Sequence, residues 1–263
     1  MRTPSGAEIT VVGDVVAKLH RAGTDPHALA TRLRVAARLD CFLAPLSVQP
    51  EAVGDRWRTR WPLVLPVPQD PSSAPWAQAG RLLARLHGAA VLLGEQDLRH
   101  GGPDRLRRAV GALSGGAEVA TIRRAAAGLP ERIWRAECSP RPATLVHGDW
   151  HLGQLGRFPS QPWQLIDVDD LGVGDPAWDL ARPAGFWAAG LLPDNDWAAF
   201  LDAYRDAGGT AVPPAPADPW TALDAVARAA VVQAAARGAG SYRDDESQAA
   251  LVECCARIAA RGP

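Results

Sequence analysis

Six aspartates crowd into one stretch of this chain: it starts at His147-Gly-Asp149-Trp-His151-Leu-Gly-Gln154, continues through Ile166-Asp167-Val-Asp169-Asp170, and ends at Gly174-Asp175-Pro-Ala-Trp-Asp179. Carboxylates are seldom buried unless they are paired or metal-bound. Any fold that keeps this set close together must therefore supply cations for it. Packing alone does not account for such a density beside a histidine-led loop and two glycine turns. The set points to a site that handles a divalent metal and phosphate.

The rest of the chain narrows the classes. At 263 residues it is long enough to bury a sizeable core in one large domain or two small lobes. A net charge of −1 argues against a dedicated nucleic-acid binder, and Arg105-Leu-Arg107-Arg108 reads as a solvated helix face. The longest apolar stretch, Ala225 to Ala236, is broken by Arg228 and Gln233 and falls short of a membrane span. Met1 to Glu8 is polar and lacks the apolar core of a signal peptide. Cys41, Cys138, Cys254 and Cys255 form no C-x-x-C pair, so neither a zinc site nor a disulfide framework is indicated, and a reducing, cytoplasmic setting fits.

Local patterns predict the organisation. Ile9 to Val12 and Val15 to His20, β-branched and split by Gly13-Asp14, form a hairpin signature. Asp25-Pro26 is a helix start for Ala28 to Leu39. Leu46 to Val53 and Arg56 to Val67 flank Gly54-Asp55 as a second hairpin. Proline and serine punctuate Pro66 to Ser73, where strand-rich sequence gives way to helical sequence, so residues 1–68 are expected as a small lobe and 69–263 as a larger one. Trp76 to Ala90 is a helix, and Asp104 to Trp134 holds further helices broken at Gly115-Gly116. Ala143 to Asp149 is a short strand, Gln154 to Asp169 a hairpin about Pro159-Ser160, and the remainder helical apart from Pro213-Pro214-Ala-Pro216.

Within this frame His147-Gly-Asp149, Gln154 and Ile166-Asp167 resemble the aminoglycoside phosphotransferase family of kinase-like small-molecule phosphotransferases. Leu82-Leu-Ala-Arg-Leu-His87 and Gly174-Asp175-Pro-Ala-Trp-Asp179 extend the likeness, which is strong over Leu145 to Ala181 and weak elsewhere. The resemblance implies an α+β, protein-kinase-like two-lobe fold. It implies Asp149 as catalytic base beside a loop braced by His147, Asp167 as principal Mg2+ ligand, and Gln154 where the family usually has asparagine. Asp169, with Asp170, would add a metal contact or support one. ATP or GTP is the implied donor, and a small hydroxylated molecule (an antibiotic such as an aminoglycoside, an amino sugar or another metabolite) the acceptor.

Lys18 is the only lysine among 28 basic residues, and in the resembled family the matching strand, Val16-Ala-Lys18, carries the lysine that grips the nucleotide's α- and β-phosphates. That lysine normally pairs with a glutamate on the next helix. Ala28 to Leu39 holds no acid, which leaves Glu8, Asp14, Asp25 and Asp40 as substitutes. Thr3-Pro-Ser-Gly6 alone precedes the first hairpin, so either this lobe is minimal or the true start lies upstream. Asp175 is expected to cap a helix and Asp179 to tie that helix to the catalytic loop. Trp150 and His151 are candidates for an acceptor wall. From Phe186 onward ten acids face six arginines, a surplus that weakly favours a cationic acceptor.

Two other readings stand beside this one. The missing helix acid, the short phosphate loop and Gln154 suit a nucleotide-binding regulatory protein. His147-x-Asp149-x-His151 with Asp167, Asp169 and Asp170 suits a two-metal hydrolase.

Overall fold

The computed structural model describes residues 6–136, 140–239 and 246–260. Thr3 to Ser5, Cys138, Asp244 and Asp245 lie outside these.

The chain is α+β, with strands first and helices after. Strand β1 (Glu8–Val12) turns at Gly13 into β2 (Val15–Leu19), and β3 (Glu51–Val53) turns at Gly54 into β4 (Arg56–Pro62). Together they make one antiparallel sheet in the order β1-β2-β4-β3, with Lys18 opposite Thr59. Helix α1 (Pro26–Arg38) interrupts these strands; Asp25 accepts the His27 N–H at 2.9 Å and Pro26 opens the first turn. Leu29, Leu33, Val35 and Ala36 form its buried side.

The second hairpin is shorter than its sequence suggests. Leu46 to Pro50 form no strand, and Leu65-Pro66 (β5) leaves the sheet to pair with β7 (Leu155–Arg157), which pairs in turn with β8 (Gln164–Leu165). The segment after α1 joins the same layer, with Leu43 N–H donating to Leu165 O at 2.9 Å and Leu165 N–H to Cys41 O at 2.8 Å. The segments that follow α1 and β4 are thus stitched to strands that carry the aspartate loops.

The helical part comprises α2 (Trp76–His87), α3 (Gly102–Gly111), α4 (Ala117–Ala127), α5 (Ala177–Ala188), α6 (Asp194–Asp206), α7 (Trp220–Gly238) and α8 (Glu246–Ala260). Helix α2 packs tightly on α6: a Cβ placed on Gly80 would come within 2.3 Å of the Phe200 carbonyl oxygen. Helix α7 is apolar on most of its circumference because α5, α3, α4 and α8 surround it. Burying side chains such as Phe200, Leu223 and Val232 contributes roughly 1.5–3 kcal/mol each. No helix among the described residues is long and apolar enough to cross a membrane. Cys41, Cys254 and Cys255 are buried; burial pushes the Cys41 thiol up to about 12.

Between these helices runs a short ribbon, β6 (Thr144–Val146) against β9 (Gly172–Gly174), and the aspartate loops leave its ends.

Candidate active site

The loop after β6 is fixed from below by Asp179. Its carboxylate accepts the backbone N–H of His147 at 2.6 Å and of Gly148 at 2.9 Å, and meets His87 Nε2 at 3.0 Å. Burial works against this anion, but the hydrogen bonds from His87 and His147 outweigh it and hold the carboxyl below the usual range. His87 is itself held through Nδ1 by Tyr204, whose hydroxyl oxygen also accepts the Ala211 N–H. Asp175 precedes Pro176, the N-cap of α5, and accepts the Ala177 N–H at 3.0 Å; it takes Arg141 through both oxygens, at 2.9 and 2.7 Å.

Gly148 sits at φ +80°, and a Cβ there would lie 2.2 Å from the Asp170 carbonyl oxygen. The tight approach of loops 148 and 170 therefore requires glycine. His147 Nε2 donates to the Ile166 carbonyl at 2.9 Å and braces the first loop against the second.

Asp149 follows this turn. Its Oδ2 lies 2.7 Å from Arg105 Nη2, and Arg105 Nη1 reaches Asp170 Oδ2 at 2.8 Å. Burial raises the Asp149 carboxyl to about 6, with Arg105 opposing and Asp170 assisting the rise. Arg105 corrects the expectation of a solvated arginine face: on α3, Arg107 points outward to Asp104 while Arg105 turns inward between two carboxylates. One charge-rich helix can supply both, and only the partner loops decide which arginine is used.

Asp167 and Asp169 come together at Lys18. The ammonium Nζ is 2.8 Å from both Asp167 oxygens and 2.9 Å from Asp169 Oδ2. Burial disfavours the Lys18 ammonium, yet the two carboxylates overcome it and hold its pKa above the usual value. None of Glu8, Asp14, Asp25 or Asp40 takes Lys18. Glu8 pairs with Arg56 at 2.7 Å and Asp25 caps α1. The lysine's acids come from the far side of the cleft.

Asp167 adopts φ +65°, a left-handed conformation that non-glycine residues visit at a cost of order 1–3 kcal/mol. Its Oδ1 accepts the Asp169 N–H at 3.1 Å, which offsets part of that strain. A buried relay missed in the sequence ends on Asp169: Trp61 donates to Thr59 Oγ1 at 3.0 Å, Thr59 meets His20 Nε2 at 2.9 Å, and His20 Nδ1 lies 3.2 Å from Asp169 Oδ1. Burial would raise the Asp169 carboxyl, but Lys18 and His20 hold it well below the usual range. Arg32 on α1 is a second missed residue; it donates to Leu171 O at 2.7 Å and Arg99 O at 3.1 Å.

Three cavities meet along this line. An apolar one of about 250 Å³ lies between Val16, Leu43, Trp61 and Ile166. It shares Lys18, Gln154, Asp167 and Asp169 with a polar cleft of about 640 Å³. That cleft shares Asp149, His151 and Arg237 with a third cavity of about 540 Å³ between α5, α7 and α8.

Gln154 is buried at the edge of the polar cleft. Trp150 is almost wholly core, stacked on Phe200 at 5.2 Å and set edge-on to Trp76 at 6.4 Å, so it offers little of its ring to the third cavity. His151 accepts the Gly153 N–H through Nδ1 at 3.0 Å, and burial with nearby Arg182 pushes its pKa down to about 3.

The oxygen donors Asp167, Asp169 and Gln154 share one cleft, a set suited to Mg2+, which is commonly held by one or two carboxylates together with substrate phosphates. Among the described residues no three His, Cys, Asp or Glu side chains are arranged to hold a metal. His147 and His151 are each engaged with backbone instead, so the histidine-led cluster of the hydrolase reading is not brought together.

The sequence matches the phosphotransferase enzyme family (APH) over residues 58–223, more than half of the chain. No curated protein matches it. Among solved structures, the chain is similar to a thermostable mutant of aminoglycoside phosphotransferase APH(4)-Ia: 15% identity, TM-score 0.63, covering 99% of this chain and 92% of that one. Spectinomycin phosphotransferase APH(9)-Ia, in complex with ADP and spectinomycin, gives 14% identity and TM-score 0.59 over 98% and 89%. A choline/ethanolamine kinase family protein from Mesorhizobium loti gives 18% and 0.58 over 97% and 84%. The shared fold is kinase-like, and the chain belongs to the phosphotransferase enzyme family.

Proposed function

We propose that this enzyme transfers the γ-phosphoryl group of ATP or GTP to a hydroxyl of a small molecule, with residues 1–68 forming most of the nucleotide side and 69–263 the catalytic side. One observation carries the reading: Asp149 stands where the polar cleft and the third cavity meet, so it faces donor and acceptor together. The apolar cavity suits a base, and the polar cleft suits a phosphate chain.

Asp149 accepts or orients the acceptor's hydroxyl proton, while the buried surroundings keep its carboxyl near neutral pH, where a general base is effective. Lys18 grips the α- and β-phosphates, exchanging carboxylate partners for phosphate oxygens. Asp167, Gln154 and Asp169 would hold Mg2+, which when bound neutralises charge on the phosphate chain. Transfer is direct, without a phosphoenzyme. That ADP occupies a similarly folded spectinomycin phosphotransferase supports a nucleotide donor. The same enzyme's spectinomycin supports a small hydroxylated acceptor.

The test is magnesium-dependent transfer from ATP and GTP to hydroxylated small molecules, with products identified by mass and Asp149→Asn as control. Loss of transfer by roughly a hundredfold or more, with nucleotide binding retained, is expected. Equal turnover by the variant would remove Asp149 from the base role. Nucleotide binding without transfer to any acceptor would favour a regulatory protein.

A further inference from the structure

The described acids of the C-terminal region do not reach the acceptor cavity. Of the acids from Phe186 onward, none of the described ones lines it; Asp194, Asp202, Asp206 and Glu253, for example, lie on outer faces. Among the described residues Asp149 is the one carboxylate in the wall, and Arg105 already meets it. Two guanidinium groups line the cavity as well, Arg182 from α5 and Arg237 from the last turn of α7. Among the described residues the wall thus carries two guanidinium groups to one carboxylate.

Arg182 is the more telling of the two. Arg237 is exposed and borders the phosphate cleft too, whereas Arg182 lines the acceptor cavity alone. Among the described residues Arg182 has no hydrogen-bond or ion-pair partner; its guanidinium lies 5.0 Å from the centroid of the Phe186 ring. Burial works against its charge; of the neighbouring charges Asp149 acts most strongly and favours it, while Arg237 and Arg105 oppose it. A half-buried guanidinium with free donors is a poor neighbour for an ammonium and a good one for a carboxylate, whose two oxygens match its fork. The remaining wall includes Trp178, Phe186, Leu191 and Leu251, and the volume of about 540 Å³ suits a molecule of moderate size.

We propose that the acceptor is a hydroxylated carboxylic acid with an apolar or aromatic body, held by its carboxylate on Arg182 and presenting its hydroxyl to Asp149. This rests on the phosphotransfer reading above. The acceptor oxygen forms a new bond to the γ-phosphorus, the bond from that phosphorus to the β–γ bridging oxygen breaks, and the hydroxyl proton passes to Asp149. The products are a phosphate monoester and the nucleoside diphosphate. Arg182 is then the residue that sets specificity. A single guanidinium confined to this cavity balances one carboxylate, whereas a phosphate dianion would ask for more.

The experiment uses the full chain with Mg2+ and ATP or GTP against acceptors matched in shape but not in charge. Hydroxymethylbenzoic acid, its primary amide and hydroxymethylbenzylamine form one set; aliphatic hydroxy acids of graded length, with their amides and amino alcohols, form others. The acids should exceed their amides in kcat/KM by roughly tenfold or more, in line with a charge-assisted hydrogen bond. Arg182→Gln should raise KM for the acids with a smaller change in kcat and shrink the preference. Arg182→Lys should restore part of it, and Arg182→Glu should turn it toward the amines. A purely structural arginine would lower turnover of acid and amide alike. Preference for amines, or equal turnover of acid and amide, overturns the inference and leaves phosphotransfer standing. Transfer to no acceptor of either charge, with nucleotide bound, overturns both.

Discussion

Asp149 owes its properties to two opposed influences that the structure separates. Burial and Asp170 push its carboxyl up, and Arg105 pulls it back to about 6. A base must be ionised to accept a proton, so kcat/KM should rise with pH through about 6 and fall roughly tenfold for each unit below it. Arg105 stabilises the ionised form, so removing its charge makes the proton harder to lose. Arg105→Gln should therefore move the acid limb to higher pH, leaving less activity at pH 6 than at pH 8 relative to the parent. The measurement is the pH profile of kcat/KM for both proteins. A limb that does not move, or that moves down, would show that Arg105 does not tune this carboxylate. Asp149 and Asp167 stood out in the sequence because their spacing from His147 and Gln154 resembles the family's motif, and the structure places both on the polar cleft. Arg105 did not, because three arginines of one helix look alike until the loops opposite them are placed. His20 was hidden for a similar reason, since its partners Thr59 and Asp169 are distant in the chain.

Helices were the most legible elements. Helix α2 shows a clear apolar face, and α1 announces its start through Asp25 and Pro26. The short strands were harder. β9 has three residues, two of them glycine, so no alternation or β-branched run marks it. β5 continues the sequence pattern of β4 but pairs elsewhere, because the chain crosses from one sheet to another between Pro62 and Leu65. Close helix packing was likewise invisible, since a lone Gly80 in a helix reads as a weakness rather than a contact. Gly80→Ala tests which effect dominates. Alanine favours a helix over glycine by roughly 0.5–1 kcal/mol. Its Cβ, however, would stand 2.3 Å from a backbone oxygen that cannot swing aside, and overpacking of this kind costs about 1–3 kcal/mol. The steric cost should win and lower the urea midpoint. A raised midpoint would mean that α2 and α6 separate freely.

At the scale of the molecule, the site is also the clamp between the strand-rich part and the helices. Lys18 belongs to the first sheet, Asp167 and Asp169 to the loop before β9, and 149 positions separate the Lys18–Asp167 pair in sequence. Arg32 adds a second tie through the carbonyls of Leu171 and Arg99. The lone lysine marked its strand as special, but chain order could not show that its acids lie across the cleft rather than on α1. That arrangement gives Lys18→Met two consequences with different readouts. Two carboxylates lose their cation, which for a fully buried pair costs about 3–5 kcal/mol. Here the acids are about a third exposed, at 35% and 32%, so water recovers part of that and a loss of about 1–3 kcal/mol is expected in urea unfolding. On the proposed role of Lys18 nucleotide affinity should fall as well, by roughly tenfold or more, because the ammonium proposed to meet the phosphates is gone. Asp167→Asn placed on top separates the two effects. It removes a charge that Lys18→Met left unpaired, so the double variant should be more stable than the two single losses predict, by about 0.5–3 kcal/mol. It should not restore nucleotide affinity. Additive stabilities would show that the ion pair carries no coupling, and full nucleotide affinity in Lys18→Met would show that the lysine serves the clamp alone.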